Sequence, residues 1–329
     1  MWTRCSRRIV DPWADPPSGF RVRSGVAHVP VLLQAVLRVL SPRKGETYVD
    51  CTAGLGGHAA AVGEVVGATG TVVLNDADPK NLAMAEGRVR GMAGAPRVVA
   101  LRANFADLPR LLEERSIRAD MVLGDLGFAS PQVDDPARGF SFSREGPQDM
   151  RMDPSLAVSA GDLVRSLPEP ELARIIAEFG DEPAARAIAR KLVRERAQRP
   201  IITTTDLAEL VRGVVPRRPG GIDPATRTFQ ALRIAVNDEI GSLEALLAAI
   251  HAAARAMGKG EGAWLSRGAR IAVISFHSLE DRPVKRAFSE LVREKLGRDL
   301  TSGQIKASAE EVGANVRSRS ATLRAVSVG

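Results

Sequence analysis

The feature that most constrains the fold is an alternation of short apolar runs with helix-like segments in the first half of the chain. Four apolar runs each end in a turn, and helical periodicity occupies the intervals between them. This alternation indicates βαβ units and a mainly parallel sheet. The runs show little polar alternation, which is typical of strands covered by helices on both faces. The runs are TYVDCTAG (47–54), TVVLNDADP (71–79), RVVALRANF (97–105) and ADMVLGDLG (119–127), and the helix-like stretches are 58–66, 79–91 and 108–114.

The pattern changes after Asp135. Segment 136–222 has no convincing strand, and helical periodicity recurs in 160–167, 170–179, 182–199 and 205–215. A long helix predicted over 226–257, the buried strand ARIAVISFH (269–277) and the late patch ATLRAV then restore the α/β pattern. We therefore predict one Rossmann-like α/β domain in two parts, 25–135 and 223–329, with an all-helical insertion at 136–222. Residues 1–24 are predicted to form a disordered basic lead.

The charge and the cysteines narrow the class of protein. The 329 residues carry 46 Lys and Arg against 39 Asp and Glu, a formal charge of +7. A cationic surplus favours a polyanionic partner, most simply a nucleic acid, although a generally Arg-rich composition is the alternative. Only Cys5 and Cys51 are present, which excludes a disulfide framework and favours a reducing compartment.

The sequence lacks recognisable membrane and secretory signals, which favours a cytoplasmic location. No apolar run approaches the roughly 20 residues that cross a bilayer, so no membrane association is predicted. The first 24 residues contain several Arg, two Trp and a Pro cluster but no apolar core of a secretory signal. An organellar presequence is the alternative, which Asp11, Asp15 and the prolines oppose because they disfavour an amphipathic helix.

A glycine-rich turn follows the first predicted strand and opens a helix. It reads Asp50-Cys-Thr-Ala-Gly-Leu-Gly-Gly-His58. Glycine permits positive φ and close backbone approach, and a helix N-terminus offers free N–H groups, so this turn predicts a nucleotide or cofactor site. The spacing Gly54-x-Gly56-x-x-Ala59 also fits a dinucleotide fingerprint, which leaves an NAD-dependent oxidoreductase open.

The next two strand ends carry side chains suited to a nucleoside. Asp76 follows the glycine turn by about 20 residues, where an acid accepts both hydroxyls of a ribose. Asp78 is instead assigned as the N-cap of the helix that Pro79 begins. After the third strand, Phe105 either covers an adenine face or packs in the core under the loop; the residues alone leave both open.

Acidic residues therefore collect at the carboxyl edge of the predicted sheet, where ligands of open α/β sheets bind. Asp50, Asp76, Phe105 and Asp125 end four successive strands. No Gly-Lys-Ser/Thr phosphate loop is present, and acidic strand ends suit a cationic or neutral cofactor better than a polyphosphate. S-adenosylmethionine, which carries a sulfonium and an ammonium, fits these requirements.

The ordered motifs resemble the bacterial ribosomal RNA small-subunit methyltransferase H family, of MraW type. The resemblance covers most of the chain, and its longest segment, 125–154, is highly specific. It implies a class I methyltransferase sheet with an inserted helical domain, and S-adenosylmethionine-dependent N4-methylation of a cytidine in the decoding region of 16S-type rRNA of the small subunit. Departures from the usual pattern are Ala53, Ala129, Asn75 and Val316. The matching segments are HVPVLLQAVLRVL (28–40), GLGGH (54–58), DADP (76–79), DLGFASPQVDDPARGFSFSREGPQDMRMDP (125–154), TRTFQALRIAVNDE (226–239), ISFHSLEDRPVKRAF (274–288) and NVRSRSATLRA (315–325).

The resemblance also implies the cofactor contacts. It places them at Gly56, Gly57, His58, Asp76, Phe105, Asp125 and Gln132. Only His58 and Gln132 among these come from the resemblance alone. No metal ligands are implied, and a homodimer is compatible with the sequence.

Asp125 and Phe128 are the candidate catalytic residues. Amino-methyltransferases often have an Asp-Pro-Pro-Tyr-like motif after the fourth strand, and Asp125-Leu-Gly-Phe128 keeps its first and fourth characters. As a hypothesis, Asp125 or a nearby carbonyl accepts a hydrogen bond from cytosine N4, and Phe128 stacks on the base. This role of Asp125 competes with its role as a cofactor contact.

Basic residues near these motifs are candidate RNA contacts, because Arg and Lys neutralise phosphates. Arg186, Arg190 and Arg194 recur every four residues opposite an apolar stripe, and either track an RNA backbone or form a solvated face. Glu280 and Asp281 are candidate caps of a helix begun by Pro283, and capping is the preferred interpretation for Asp281. A methyltransferase acting on DNA remains an alternative. The pocket-flanking candidates are Arg138, Arg144, Arg151, Arg227, Arg233, His277 and Lys285.

Overall fold

A computed structural model describes residues 30–217 and 221–329, and the predicted basic lead lies outside them. The strands are β1 Thr47–Asp50, β2 Thr71–Asn75, β3 Arg97–Leu101, β4 Ala119–Asp125, β5 Leu265–Ser275, β6 Gly297–Asp299, β7 Ile305–Lys306 and β8 Thr322–Val328. The helices are α1 Leu33–Leu40, α2 Gly57–Val66, α3 Pro79–Arg90, α4 Leu108–Glu114, α5 Ser130–Asp134, α6 Ala160–Ser166, α7 Glu169–Gly180, α8 Ala185–Arg196, α9 Thr204–Arg212, α10 Ala225–Asn237, α11 Glu239–Gly258, α12 Ser278–Arg293 and α13 Ala309–Ala314.

The strands form one sheet in the order β3-β2-β1-β4-β5-β8-β6, with β7 paired to β8. The first five strands are parallel, and β8 runs antiparallel to its neighbours. The predicted Rossmann-like α/β class and the last strand at ATLRAV are therefore confirmed. The order reverses between β1 and β4, so their carboxyl ends form the crevice in which such sheets bind ligands.

The two sheet faces explain why the strands lack polar alternation. Neighbouring residues point to opposite faces, so Val49 and Val122 join one core cluster, and Tyr48 and Met121 join the other. Helices α4, α11 and α12 cover the first face, and α1, α2 and α3 cover the second. The central residues of β1 to β4 are therefore apolar on both faces, as expected for a sheet buried on both sides.

Helix α11 has the length and apolar composition of a membrane-spanning segment. Its apolar side chains are accounted for by packing, because Leu243, Leu246, Leu247 and Ile250 are buried in the core against the sheet. A buried core helix of this kind meets the same criteria of length and composition as a membrane span.

Helices α6 to α9 share a third core cluster with α10. Ile176, Ile188 and Leu207 are fully buried there beside Leu232 of α10. The cluster thus extends past the predicted end of the insertion at residue 222. The boundaries of the insertion stay a prediction.

The prediction of one continuous helix over 226–257 is wrong. Asp238 adopts a left-handed conformation with φ of 46°, which ends α10 and starts α11 in a new direction. The Asn237 amide donates to the carbonyl of Met150 at 2.7 Å and its oxygen accepts from the N–H of Met152 at 2.7 Å. These tertiary bonds hold the end of α10 against the 150–152 loop.

The assignment of Asp281 as a cap is also wrong. Helix α12 begins at Ser278, and Pro283 lies inside it. The Asp281 carboxylate instead accepts from Nε and Nη2 of Arg324 on β8, at 2.7 and 2.8 Å. The N-cap position is occupied by His277, and Glu280 in the first turn bonds back across the start of the helix, because its Oε2 accepts from the N–H of Phe276 at 2.7 Å.

Candidate active site

One cavity of about 590 Å³ opens at the carboxyl edge of the parallel strands. It begins at the glycine turn after β1, passes the ends of β2, β3 and β4, and continues to residues of α10 and α12. Its volume is typical of small-molecule sites, and it joins the sheet to the helical cluster. The cavity therefore brings the predicted cofactor residues and the predicted base residues together.

The glycine turn packs too tightly for side chains. Gly56 has φ of 72°, and a Cβ there would lie 2.8 Å from the Cα of Ala85 on α3. A Cβ on Gly57 would lie 2.4 Å from the Cγ of Pro30. The turn thus keeps the N-terminus of α2 open toward the cavity, where its free N–H groups can meet a ligand.

Asp76 at the end of β2 faces the cavity and is held by backbone groups. Its carboxylate accepts from the N–H of Gly54 at 2.8 Å and from the N–H of Asp78 at 2.8 Å. Burial raises the pKa of Asp76 to about 6. A carboxylate has about four lone-pair sites, so Asp76 can accept from ribose hydroxyls in addition to these backbone groups and the side chain of Asn81.

Asp78 caps α3, as predicted, since its Oδ1 accepts from the N–H of Lys80 at 2.9 Å. Its Oδ2 accepts from Gln132 Nε2 at 3.0 Å and from Arg138. The Gln132 Oε1 accepts from the N–H of Ala129 at 2.8 Å. Gln132 borders the cavity and also anchors the loop after β4 to α3, which gives it a structural role besides the predicted cofactor contact.

Phe105 combines the two interpretations that the sequence left open. Its ring packs against the first core cluster and is partly buried, and it also lines the cavity. The preceding Asn104 donates to the hydroxyl of Ser242 on α11 at 2.7 Å, and its Oδ1 accepts from the N–H of Ala106. The ring is therefore fixed at the cavity wall, where it could cover an adenine.

Asp125 ends β4 beside His58 of α2. Its Oδ2 lies 3.6 Å from the His58 Nε2, and its Oδ1 is buried without a hydrogen-bond partner among the described residues. Neither ring nitrogen of His58 has one there. Behind them Asp50 accepts from the Tyr48 hydroxyl at 3.0 Å, and burial raises the pKa of Asp50 to about 6. Unpaired polar atoms at a cavity wall are groups that a ligand can satisfy.

Phe128, three residues after Asp125, lines the cavity with an exposed ring that is 44% accessible. The Phe140 ring lies 6.0 Å away between centroids, and the Arg233 guanidinium lies 4.8 Å from the Phe128 centroid. A half-exposed aromatic ring in a cavity offers a stacking surface for a planar ligand. The Phe128 ring and the glycine turn line the same cavity, and Ala129, the next residue, lies close to Gly54 of that turn.

Three of the predicted RNA contacts have guanidinium groups that are already engaged. Arg138 donates to Asp78 and to the carbonyls of Arg151 and Met152. Arg151 forms a two-pronged pair with Asp149. Arg233 forms a similar buried pair with Glu239. Contact with phosphate would compete with these bonds, so their predicted role gains no support from the geometry.

The other predicted contacts differ in accessibility. Arg144 and Lys285 are exposed, and the Arg144 Nη2 donates to the carbonyl of Asp134. Arg227 is exposed by 43% and donates to the carbonyl of Asp181. His277 lines the cavity with its Nε2 3.1 Å from Glu280 Oε1. Arg144, Arg227 and Lys285 are therefore the members of the set that are accessible to a macromolecule.

The sequence reasoning missed Glu239, Glu280 and Phe140, all of which line the cavity. Glu239 and Glu280 lie 41 positions apart in the sequence and each reads as an ordinary first-turn acid of a helix. Burial raises the pKa of Glu239, and His277 helps to hold the pKa of Glu280 below its usual range against burial. No local pattern in the sequence identifies Glu239 and Glu280 as cavity residues, because the break at Asp238 is what brings them close to each other.

The donor set fits S-adenosylmethionine. The glycine cradle, the acid at the end of β2 and the unpaired Asp125 Oδ1 offer close backbone approach and negative charge. Among residues 30–217 and 221–329, no group of three or more His, Cys, Asp or Glu is arranged to hold a metal ion. The fold and the cavity together define an S-adenosylmethionine-dependent methyltransferase.

The family follows from comparison with known proteins. A model of the MraW methylase family matches residues 25–328. The chain belongs to that family, and the resemblance found in the sequence is thereby confirmed.

Two relatives named ribosomal RNA small subunit methyltransferase H agree with this assignment. The chain is 43% identical over 304 residues to the ribosomal RNA small subunit methyltransferase H of Acidobacterium capsulatum, covering 91% of this chain and 97% of that protein. It is 44% identical over 323 residues to the protein of the same name from Halorhodospira halophila, covering 92% and 94%. A solved S-adenosylmethionine-dependent O-methyltransferase from Thermotoga maritima matches with 10% identity and a TM-score of 0.37, covering 90% of this chain and 64% of that one.

The raised pKa of Asp76 predicts pH-dependent cofactor binding. Ribose hydroxyls donate to a carboxylate, so protonation below about pH 6 removes acceptor strength. We expect affinity for S-adenosylmethionine to be constant above pH 7 and to fall about tenfold per unit well below pH 6. Calorimetric titration with S-adenosylmethionine between pH 5 and pH 8 measures this affinity.

The matched control is Asp76→Asn, which binds more weakly but has no carboxyl to titrate. Its affinity should be nearly independent of pH in the same range. If the variant kept the wild-type pH dependence, the titration would belong to another group, such as Asp50, whose pKa is also about 6.

Proposed function

We propose that the protein transfers a methyl group from S-adenosylmethionine to N4 of a cytidine in the decoding region of small-subunit, 16S-type rRNA. The observation that carries the proposal is the single cavity that joins the acidic, glycine-bordered cofactor end to the exposed ring of Phe128. Asp125 lines the same cavity. The names of the relatives, which specify small-subunit rRNA, supply the substrate class.

Methyl transfer requires the chain mainly to position the cofactor and the cytosine. S-adenosylmethionine, when bound, supplies a methyl group on a positively charged sulfur. The cytosine N4 is a weak nucleophile because its lone pair is delocalised into the ring. An acceptor on an N4 hydrogen favours attack, and the unpaired Oδ1 of Asp125 is suited to that role. Ideal orientation of the two reactants contributes at most about 7–11 kcal/mol to lowering the barrier.

The cytosine must leave its stack to enter the cavity. Enzymes that modify a base extrude it and hold it against aromatic side chains. Phe128 offers such a surface, and Phe140 lies beside it. A pocket on one side of the sheet edge that accepts a single extruded base agrees with a target in a single-stranded rRNA region.

The helical cluster presents a basic face suited to an RNA backbone. Arg186, Arg190 and Arg194 are exposed on α8, opposite the buried Ile188 and Leu192. Among the described residues, the acidic neighbours of Arg190 and Arg194 are Glu169 at 3.6 Å and Glu195 at 3.4 Å, and contact with phosphate requires little rearrangement of such loose pairs.

Charge reversal of these three arginines is expected to weaken the salt dependence of RNA binding. For three phosphate contacts to single-stranded RNA, the slope of log affinity against log salt should become smaller in magnitude by about 2. Filter binding or anisotropy at several salt concentrations measures the slope. An unchanged slope would mean that this face is merely solvated.

The control for this experiment reverses Arg255, Lys259 and Arg293. These exposed residues lie at or just after the C-terminal ends of α11 and α12, far along both helices from the cavity. The change in net charge is identical, so a shift in slope confined to the α8 variant reports local contacts rather than the overall field.

The decisive experiment locates the methyl group. Purified protein is incubated with labelled S-adenosylmethionine and with mature or immature small subunits, and the label is mapped by mass spectrometry of the digested rRNA. Label on cytidine N4 is expected. Label on another base, or only on DNA, would refute the proposal. A thermal-stabilisation assay with S-adenosylmethionine and NAD tests the oxidoreductase alternative.

The cellular setting follows from the substrate. We propose a cytoplasmic location, where small subunits assemble, and an organellar location is the alternative if residues 1–24 act as a presequence. Gel filtration with light scattering decides between a monomer and a homodimer.

A further inference from the structure

A buried arginine–glutamate pair lies against the exposed ring of Phe128. Nε and Nη2 of Arg233 donate to Oε1 and Oε2 of Glu239 at 2.8 and 2.9 Å. The two side chains are only 10% and 9% exposed. The Arg233 guanidinium carbon lies 4.8 Å from the centroid of the Phe128 ring, and all three residues line the cavity.

Stability alone is a poor reason for this pair. Two charges lose most of their hydration on burial, and well-packed apolar residues often stabilise such a place equally well. A better explanation of the pair is that it orients the Phe128 ring. Phe128 lies in the loop after β4 and its ring is 44% exposed, so few contacts fix its orientation. A guanidinium stacked on one face of the ring restricts that orientation.

The break between α10 and α11 brings the side chains of Arg233 and Glu239 together. Arg233 and Glu239 are six residues apart, and in a continuous helix they would point about 120° apart around the axis. The left-handed conformation of Asp238 turns Glu239 back toward Arg233. The bonds of Asn237 to Met150 and Met152 hold this break in place. The position of the Arg233–Glu239 pair therefore depends on α10 and on the 150–152 loop together.

We propose that Arg233, oriented by Glu239, is a positioning residue that sets the Phe128 ring as the stacking surface for the target base. The guanidinium occupies one face of the ring and leaves the other face to the base. The inference rests on the proposed function, because it takes that base to be the cytosine to be methylated. It also replaces the phosphate contact predicted for Arg233, whose Nε and Nη2 already bond to Glu239.

The first test replaces both members of the pair, Arg233→Met with Glu239→Leu. Loss of one partner alone would leave a buried charge, whereas the apolar pair is expected to fold. We expect a kcat on small subunits roughly 100-fold lower, because a misplaced base loses reactive alignment. The affinity for S-adenosylmethionine should stay within about twofold, since that end of the cavity is unchanged. Unaltered kcat would overturn the inference.

A matched pair in the helical cluster provides the control. Arg212 bonds to Asp223 at 3.0–3.2 Å and lies 5.4 Å from the centroid of Phe142. Arg212→Met with Asp223→Asn removes an ion pair that also lies beside a phenylalanine ring but is more exposed, at 40% and 22%, and the asparagine retains the oxygen that accepts from the N–H of Ala225. Its kcat should remain within about twofold of wild type, since Arg212 does not touch the Phe128 ring.

The second test asks whether Arg233 acts through Phe128. In a Phe128→Ala background the paired replacement should lower kcat by less than about twofold, because the ring that it orients is gone. A further loss of roughly 100-fold in that background would mean that Arg233 acts directly on RNA or on the reaction, and would overturn the inference. Arg233→Lys, which keeps the charge but not the planar fork, takes the place of the paired variant if that variant does not fold.

The two proposals fail in different ways. If the wild-type protein labels a base position other than cytosine N4, the proposed function is refuted, while the coupling between Arg233 and Phe128 can still be measured on that product. If the label is on cytosine N4 but the two substitutions act additively, only the positioning role is refuted.

Discussion

Replacement of Asp125 by asparagine is expected to lower methyl transfer by roughly 10²- to 10⁴-fold, the range typical of a lost acid–base group. Asp125 ends β4, and its Oδ1 is buried without a partner in the described part of the chain. Asparagine keeps the shape but turns one acceptor into a donor, which opposes an N4–H of the base. Single-turnover rates on small subunits, with cofactor affinity measured separately, divide the effect between chemistry and binding.

The outcome also decides between the two roles of Asp125. Normal single-turnover rates with weaker cofactor binding would limit it to holding the cofactor and would exclude the catalytic role. Asp107→Asn is the control, because Asp107 lies in the turn after β3 at the same sheet edge and its side chain is 52% exposed. That variant should behave as wild type in both measurements.

Replacement of Gly56 by alanine is expected to destabilise the fold by about 2–5 kcal/mol and to abolish measurable cofactor binding. The positive φ costs a side chain about 1–2 kcal/mol. The added Cβ would lie 2.8 Å from the Cα of Ala85, and such overpacking costs typically 1–3 kcal/mol. Relief of the clash moves the turn away from α3 and reshapes the cradle. Chemical denaturation and calorimetry measure the two effects.

Gly87→Ala is the matched control for this change. Gly87 lies on α3, the helix that Gly56 contacts, and a Cβ there meets nothing within 4 Å. Alanine at an unhindered helical position should stabilise the protein by up to about 1 kcal/mol and leave binding unchanged. A Gly56→Ala protein as stable as wild type would mean that the turn does not depend on close packing.

Much of the cofactor end could be predicted because its determinants are local. The turn after β1 needs glycine, Asp78 precedes a proline at a helix start, and Asp125 ends an apolar run. Each of these signals lies within a few residues of the feature that it specifies. The sheet then brings them together by a general rule, because parallel strands deliver their carboxyl ends to one edge.

The base end could not be predicted in the same way. Arg233 lies in a sequence with good helical periodicity, and the periodicity predicts that the helix continues past Asp238. The break depends on bonds from Asn237 to a loop more than 80 positions earlier in the chain. Arg138 and Arg151 likewise read as free cations, and only the folded chain shows that carbonyl and carboxylate groups already occupy them.

The sequence by itself determined the α/β class, the glycine turn, the acids at the strand ends and the family, because periodicity, turn chemistry and an ordered motif set are properties of neighbouring residues. Only the tertiary structure decided which arginines are free and which are paired, and that Arg233, Glu239 and Phe128 meet at one end of the cavity. Contacts of that kind join residues that are distant in the chain. Whether two charged side chains meet and lose their hydration depends on how the folded chain packs around them, and no local pattern in the sequence shows that.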